Sequence, residues 1–338
     1  MTAAEGVAAV MFGAVILYAV LGGADFGSGV WDLTAGRSAR GASLRKLVDH
    51  AIGPVWEANH VWLIFVLVLL WTGFPEPYTD LVRAVAIPLW LAALGIVGRG
   101  ASFAFRSYAP TLGWARSAGI IFGSASLITP FFLGTIAGAV ASGRVPAEGP
   151  VSPWSSWLGP TSLLGGVLAI VTCTFLAGVF LAAEAERLDA HRLAEQIRDR
   201  SLIGGALTGA VVVAGVPVLL VDAPKLADGL LGRGLVLVVL SAVGGLVTMR
   251  LLWRRRFRLA RLSAVIAVAA VVAGWGVAQY PWILVDETTI ADGAGSHSAL
   301  VGLLVASAIA AILVAPPLLY LFRLADADLV GKAPDLGG

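Results

Sequence analysis

The segment Trp56-Glu57-Ala58-Asn59-His60-Val61-Trp62 puts a carboxylate, an amide, an imidazole and two indoles within two helical turns. It runs without a break into Leu63-Ile64-Phe65-Val66-Leu67-Val68-Leu69-Leu70-Trp71. Ionisable groups are expensive at membrane depth and tend to be kept where they do work, often in a proton or ion path. Trp56, Glu57 and His60 stand at i, i+1 and i+4, with Asn59 and Trp62 three apart on the adjoining stripe. Such a stripe cannot face lipid cheaply and is expected to face another helix or a partner subunit. Two readings of Glu57 stand side by side. An acid just after Pro54 suits a helix start, where its charge meets the positive end of the dipole. A carboxyl withdrawn from water there can instead exchange protons near neutral pH.

Two further constellations offer chemistry. Gly22-Gly23-Ala24-Asp25-Phe26-Gly27-Ser28-Gly29 surrounds a carboxylate with glycines, so that Asp25 sits either at a tight helix contact or at the interface facing water. The spacing Gly23-x-x-x-Gly27 permits close helix approach. Arg99-Gly100-Ala101-Ser102-Phe103-Ala104-Phe105-Arg106 places Arg99 where it can pair with Asp25 or Glu57, while Arg106 suits ordinary snorkelling at a helix end. Tyr280-Pro281-Trp282, followed by Thr288 to Ser296, reads as a stop and a small-residue turn with little chemistry of its own.

The chain has four histidines, His50, His60, His191 and His297, and of these His60 is expected near a span. A chain holding several haems needs two axial ligands for each low-spin centre, which this supply does not suit. The lone Cys173 leaves no disulfide framework or thiol metal site and reads as a small apolar residue in a helix interface. No phosphate-binding loop, dinucleotide glycine fingerprint or zinc spacing occurs. The run Arg254-Arg255-Arg256 reads as a topology signal in contact with lipid headgroups, not as a nucleic-acid patch.

The elements that must position these residues follow from composition. Of the 338 residues 58% are hydrophobic and 13% charged, with a mean hydropathy of +0.89. A soluble domain carries roughly a quarter charged residues. Nine apolar stretches are long enough to cross a hydrocarbon core of about 30 Å. They cover approximately 5–24, 57–75, 82–104, 115–142, 160–183, 202–221, 230–250, 259–280 and 298–322. Helices are expected, because each satisfies its own backbone polar groups in lipid. The first stretch lacks a basic leader region and reads as a retained helix. All but Arg83, Arg144, Lys225 and Arg233 of the 23 Lys and Arg residues fall in alternate connections. The positive-inside rule then puts the N-terminus outside and the C-terminus in the cytoplasm.

No connection is large enough for a separate soluble domain, so residues 1–338 read as a single transmembrane unit. Within 25–56, the apolar Leu44, Leu47, Val48 and Ile52 suggest a short interfacial helix. The charged segment 184–201 reads as an extension of the fifth helix held by i,i+3 and i,i+4 ion pairs. Trp154 and Trp157 in 143–158 match an interfacial aromatic belt. Pro88, Pro130, Pro217 and Pro316-Pro317 fall inside spans and read as tolerated kinks.

On these motifs the sequence resembles subunit II of cytochrome bd-type quinol oxidases. The resemblance rests on Gly23-Ala24-Asp25-Phe26-Gly27-Ser28-Gly29, Ile52-Gly53-Pro54-Val55-Trp56-Glu57-Ala58-Asn59-His60-Val61-Trp62, Phe74-Pro75, Arg99-Gly100-x-x-Phe103-x-Phe105-Arg106, and Tyr280-Pro281 with Thr289-Ile290. It implies an all-α fold of nine transmembrane helices, two four-helix bundles plus one peripheral helix, in a bacterial cytoplasmic membrane. It also implies a haem-free chain in a heterodimer with subunit I, which carries the b haems, with or without haem d, and the quinol site. The resemblance leaves open whether a structural quinone and small accessory membrane subunits are present. The complex oxidises quinol and reduces dioxygen to water, taking protons from the cytoplasm. By position, Glu57 matches the family's proton-path carboxylate, Trp56 its preceding tryptophan and Asp25 the acid of the first helix. Asn59, His60, Trp62, Arg99 and Arg106 then support that path. Ala104 stands where the family usually has an acid, so either the channel is organised differently or the chain belongs to a divergent branch, of which the cyanide-insensitive type is one. A proton-coupled transporter and a purely structural membrane subunit are the competing functions.

Overall fold

The computed structural model describes residues 2–36, 38–53, 56–106, 112–147, 149 and 151–326. Among them, nine helices are long and apolar enough to cross a membrane. In chain order these are α1 (Ala3–Leu33), α3 (Trp56–Gly73), α5 (Ala86–Arg106), α6 (Leu112–Ala141), α7 (Pro160–Arg187), α8 (His191–Asp222), α10 (Leu235–Trp253), α11 (Phe257–Gln279) and α12 (His297–Asp326). Three shorter helices, α2 (Ala39–Ile52), α4 (Pro75–Ala84) and α9 (Pro224–Leu231), sit in the connections. A small antiparallel hairpin, β1 (Trp282–Leu284) with β2 (Thr288–Thr289), follows α11, and Trp282 lies opposite Thr289. The all-α, nine-span architecture expected from composition is the one the chain adopts.

Helix α1 is the hub, packed against α3, α6, α7, α11 and α12. Its approach to α7 is set by Gly27, where a Cβ would lie 1.8 Å from the carbonyl oxygen of Cys173. In lipid no hydrophobic drive pulls helices together, so backbone contact at small residues carries the association. The same stripe continues at Gly29, where a Cβ would lie 2.1 Å from Ser126 Oγ on α6. Around this contact Trp31, Phe122, Leu176, Val179 and Leu181 form a buried core. A second cluster around Val7, Leu69, Phe74 and Val85 fills the opposite end.

Several expectations need correction. The first helix does not stop at residue 24 but runs to Leu33, so Asp25 lies inside it and is buried, which removes the water-facing reading. Helix α2 is present, yet Leu44, Leu47, Val48 and Ile52 are fully buried against the bundle, not laid on an interface. The charged segment 184–201 does not extend one helix: α7 ends at Arg187, Asp189 takes a left-handed φ of 56°, and the remainder begins α8. Asp tolerates that conformation better than most residues, which makes the turn possible. The expected ion pairs survive on both sides of it, Glu184–Arg187 and Glu195–Arg198.

The span expected over 82–104 begins at Ala86, because α4 is a separate helix ending at Ala84. Pro88 therefore falls in the first turn of α5, where its missing N–H breaks no helical bond, and it is no kink. Pro130, Pro217, Pro316 and Pro317 do lie within helices. Of the two belt tryptophans, Trp154 is exposed and Trp157 is buried against Phe132.

Candidate functional site

Among the described residues, the largest fully buried side chain is a cation. Arg99, on α5, is 1% exposed. Its Nη1 donates to Asp25 Oδ2 at 2.9 Å and its Nη2 to Asp25 Oδ1 at 2.8 Å. This is the two-pronged fit that a planar guanidinium makes to a carboxylate. Nη2 also donates to the Asp25 carbonyl at 3.0 Å, and Nε to Ser126 Oγ at 3.1 Å. Ser126 Oγ in turn donates to the Phe122 carbonyl at 2.7 Å. The faces of the guanidinium meet the rings of Phe122 and Phe26, 4.7 and 5.4 Å from their centroids. Arg99 thus ties α1, α5 and α6 together through groups that leave its charge compensated on every side.

Local sequence explains why this pair can be buried. Asp25 is bracketed by Gly22, Gly23, Gly27 and Gly29, and the absence of side chains at Gly27 and Gly29 brings α7 and α6 against its turn of α1. His60, entering from α3, places Nε2 3.7 Å from Asp25 Oδ2 and so joins the pair. Of the alternatives the sequence left for Arg99, the structure selects Asp25 and not Glu57.

Glu57 is exposed on α3. It heads a stripe with Val61, Ile64, Val68 and Trp71, which are also exposed on this chain. This chain's own helices leave Glu57 uncovered. Below Glu57 the exposed face is apolar. Trp56 packs on Phe103, with ring centroids 5.7 Å apart, and sits over Gly100. Asn59 is buried, and its Oδ1, like Trp62 Nε1, has no hydrogen-bond partner among the described residues. The segment thus splits: Glu57 looks outward while Asn59 and His60 look inward.

Ala104 is exposed on α5, away from the guanidinium, so Arg99 completes its pairing without an acid at that position. The Arg106 side chain and Pro54 lie outside the described residues. Three groups escaped the sequence reading. Ser126 sits in a Gly-Ser-Ala-Ser run whose polarity carries no positional signal. Tyr18, whose Oη lies 3.4 Å from His60 Nδ1, was legible as a lone hydroxyl in the middle of an apolar span. His50, expected away from the spans, has a side chain only 9% exposed, with Nε2 3.6 Å from Glu184 Oε1 on α7.

Three of the four imidazoles lie against carboxylates. His60 stands between Tyr18 and Asp25, His50 faces Glu184, and His191 Nδ1 lies 2.9 Å from Glu186 Oε2. His297 lies exposed at the start of α12.

Fold and site together define a multi-pass, all-helical membrane protein built around a buried acid–arginine–imidazole cluster. The chain belongs to the cytochrome bd terminal oxidase subunit II family, whose model matches residues 4–325. It is similar to the cytochrome bd ubiquinol oxidase subunit 2 of Bacillus subtilis (strain 168), 30% identical over 156 residues. That match spans 45% of each chain, less than half the length of this relative. In structure it is similar to the bd oxidase from Geobacillus thermodenitrificans, with a TM-score of 0.79 and 23% identity. The likeness covers 98% of this chain and 100% of that one. At that identity the likeness establishes the fold.

Proposed function

We propose that this chain is the haem-free second subunit of a quinol:dioxygen oxidoreductase, supporting the complex and forming part of its proton-uptake path. Subunit I holds the haems, b with or without d, and the quinol site; the acceptor is dioxygen, reduced to water. The chain by itself performs no redox step. The membrane is the bacterial cytoplasmic membrane, with the N-terminus outside and the arginine-rich connections in the cytoplasm.

The observation that carries this reading is the split of the Trp56–Trp62 segment. Glu57 stands exposed at the arginine-rich end of α3, at the head of an apolar stripe that suits a partner helix. One turn further, His60 reaches the buried Asp25–Arg99 pair. A partner covering the stripe would desolvate Glu57 and leave it a short step from Asp25. Glu57 then acts as the entry carboxylate and Asp25 as the inner one, with Arg99 and Ser126 fixing Asp25 in place. Trp56 and Asn59 shape the mouth, and Trp62 lines the inner side. Preorganised donors of this kind hold a transferring group without reorganisation.

The test is isolation from the native membrane with a tag on this chain. A haem-bearing partner of similar size should co-purify, and the preparation should consume dioxygen with quinol as donor. Isolation of this chain without haem or quinol oxidation, from membranes that respire on quinol, would overturn the reading. The optical spectrum of the same preparation distinguishes haem d from b haems.

A further inference from the structure

We infer that His60 extends the Asp25 site inward to Tyr18, making the Tyr18 hydroxyl the next proton-carrying group towards the membrane centre. The inference rests on the proposed proton path and adds a member to it. Tyr18 is the middle residue of α1, seven positions and roughly 10 Å along the helix axis from Asp25. Its Oη lies 3.4 Å from His60 Nδ1, and the other ring nitrogen, Nε2, lies 3.7 Å from Asp25 Oδ2. An imidazole with a carboxylate at one nitrogen and a phenol at the other can take a proton on one side and release one on the other. Both gaps exceed the ordinary limit of about 3.2 Å, so the relay is open here and closes on a small swing of the ring.

The surroundings are built to hold these two rings. A Cβ on Gly22 would lie 2.8 Å from the Tyr18 ring, so the phenol rests directly on the helix backbone at that glycine. Phe26 stands edge-on to both, 6.2 Å from the Tyr18 ring and 5.4 Å from the His60 ring. The titratable and charged groups around the phenol are Asp25 on its own helix, His60 on α3, Arg99 on α5 and Cys173 on α7. A tyrosine hydroxyl in an apolar span needs one hydrogen-bond partner, and His60 alone would meet that need. The placement of Asp25 on the far side of the same imidazole is what a merely satisfied hydroxyl does not require.

The proton count closes. A proton delivered through Glu57 to the Asp25 carboxylate at Oδ2 passes on to Nε2 of the neutral imidazole, and the proton on Nδ1 passes to Tyr18 Oη. The phenol's own proton leaves towards the middle of the membrane, to be consumed in the reduction of dioxygen. A ring flip restores the tautomer, and Asp25, having gained one proton and lost one, is again the carboxylate paired with Arg99.

The test uses the intact complex with a short-chain quinol as donor, comparing Tyr18→Phe and Glu57→Gln with the unaltered protein. Phenylalanine keeps the ring and its contacts and removes the hydroxyl alone. Turnover, the solvent isotope effect and the haem spectrum are read together. The expected result is that both variants slow turnover at least about tenfold, with a raised solvent isotope effect and an unchanged spectrum. Slow turnover in Glu57→Gln with normal turnover and isotope effect in Tyr18→Phe overturns the Tyr18 relay and leaves the proton path standing. Normal turnover in Glu57→Gln overturns the path, and the relay with it. Loss of the haem spectrum in Tyr18→Phe moves the comparison to His60→Gln, where normal turnover again overturns the relay.

Discussion

Arg99 and Asp25, from helices far apart in sequence, meet through two parallel N–H···O bonds of 2.8 and 2.9 Å with both side chains 1% exposed. The pair is a structural joint, and in the proposed path its carboxylate is the inner proton carrier. Its arginine also donates to the Asp25 carbonyl and to Ser126, whereas its carboxylate also faces His60. The asymmetry leaves Asp25 as the member free to exchange with a third group.

Removing one partner leaves a charge stranded in the bundle. Arg99→Leu is expected to destabilise the protein by about 3–5 kcal/mol, and Asp25→Leu by a similar amount. The double variant Asp25→Leu/Arg99→Leu is expected to recover a large part of the loss, since apolar replacement of both members strands nothing. Thermal unfolding of the detergent-solubilised complex checks the order: double variant above either single one.

Gly27 tolerates no side chain. A Cβ there would sit 1.8 Å from the Cys173 carbonyl oxygen, which is backbone and cannot swing aside. Gly27→Ala is therefore expected to force α1 and α7 apart and to lower the yield of folded complex, seen as a fall in the melting temperature. Gly13, with open space around it, is the control: Gly13→Ala is expected to leave the melting temperature unchanged.

Ala104 faces outward, so installing the acid common in the family should not disturb the Asp25–Arg99 pair. Ala104→Glu is expected to change stability by no more than about 0.5 kcal/mol. A loss comparable to that of Arg99→Leu would show that position 104 communicates with the pair.

The nine spanning helices were legible because apolar length alone determines what can span a membrane. Trp56–Trp62, Asp25 and Arg99 were also legible, since polar groups stand out against such a background. Partnership was not. Pairing Arg99 with Asp25 and not Glu57 depends on rotation about α3 and on the depth at which Gly27 lets α1 approach α7. Neither is a property of a local window. The ends of α1 and α7 were misjudged for a related reason. Polar residues such as Asp25 and Glu184 end an apolar stretch by hydropathy, but a helix continues through them where neighbouring helices supply partners. Ser126 and His50 stayed hidden because their importance comes from what other helices bring to them.

The central claim, proton entry at Glu57, is tested most directly in vesicles of the purified complex. Proton disappearance from the cytoplasmic side is measured while quinol drives dioxygen reduction. Glu57→Gln is expected to slow proton uptake and dioxygen consumption together, at least about tenfold, with the haem spectrum unchanged. Uptake and consumption at the rate of the unaltered protein would contradict it.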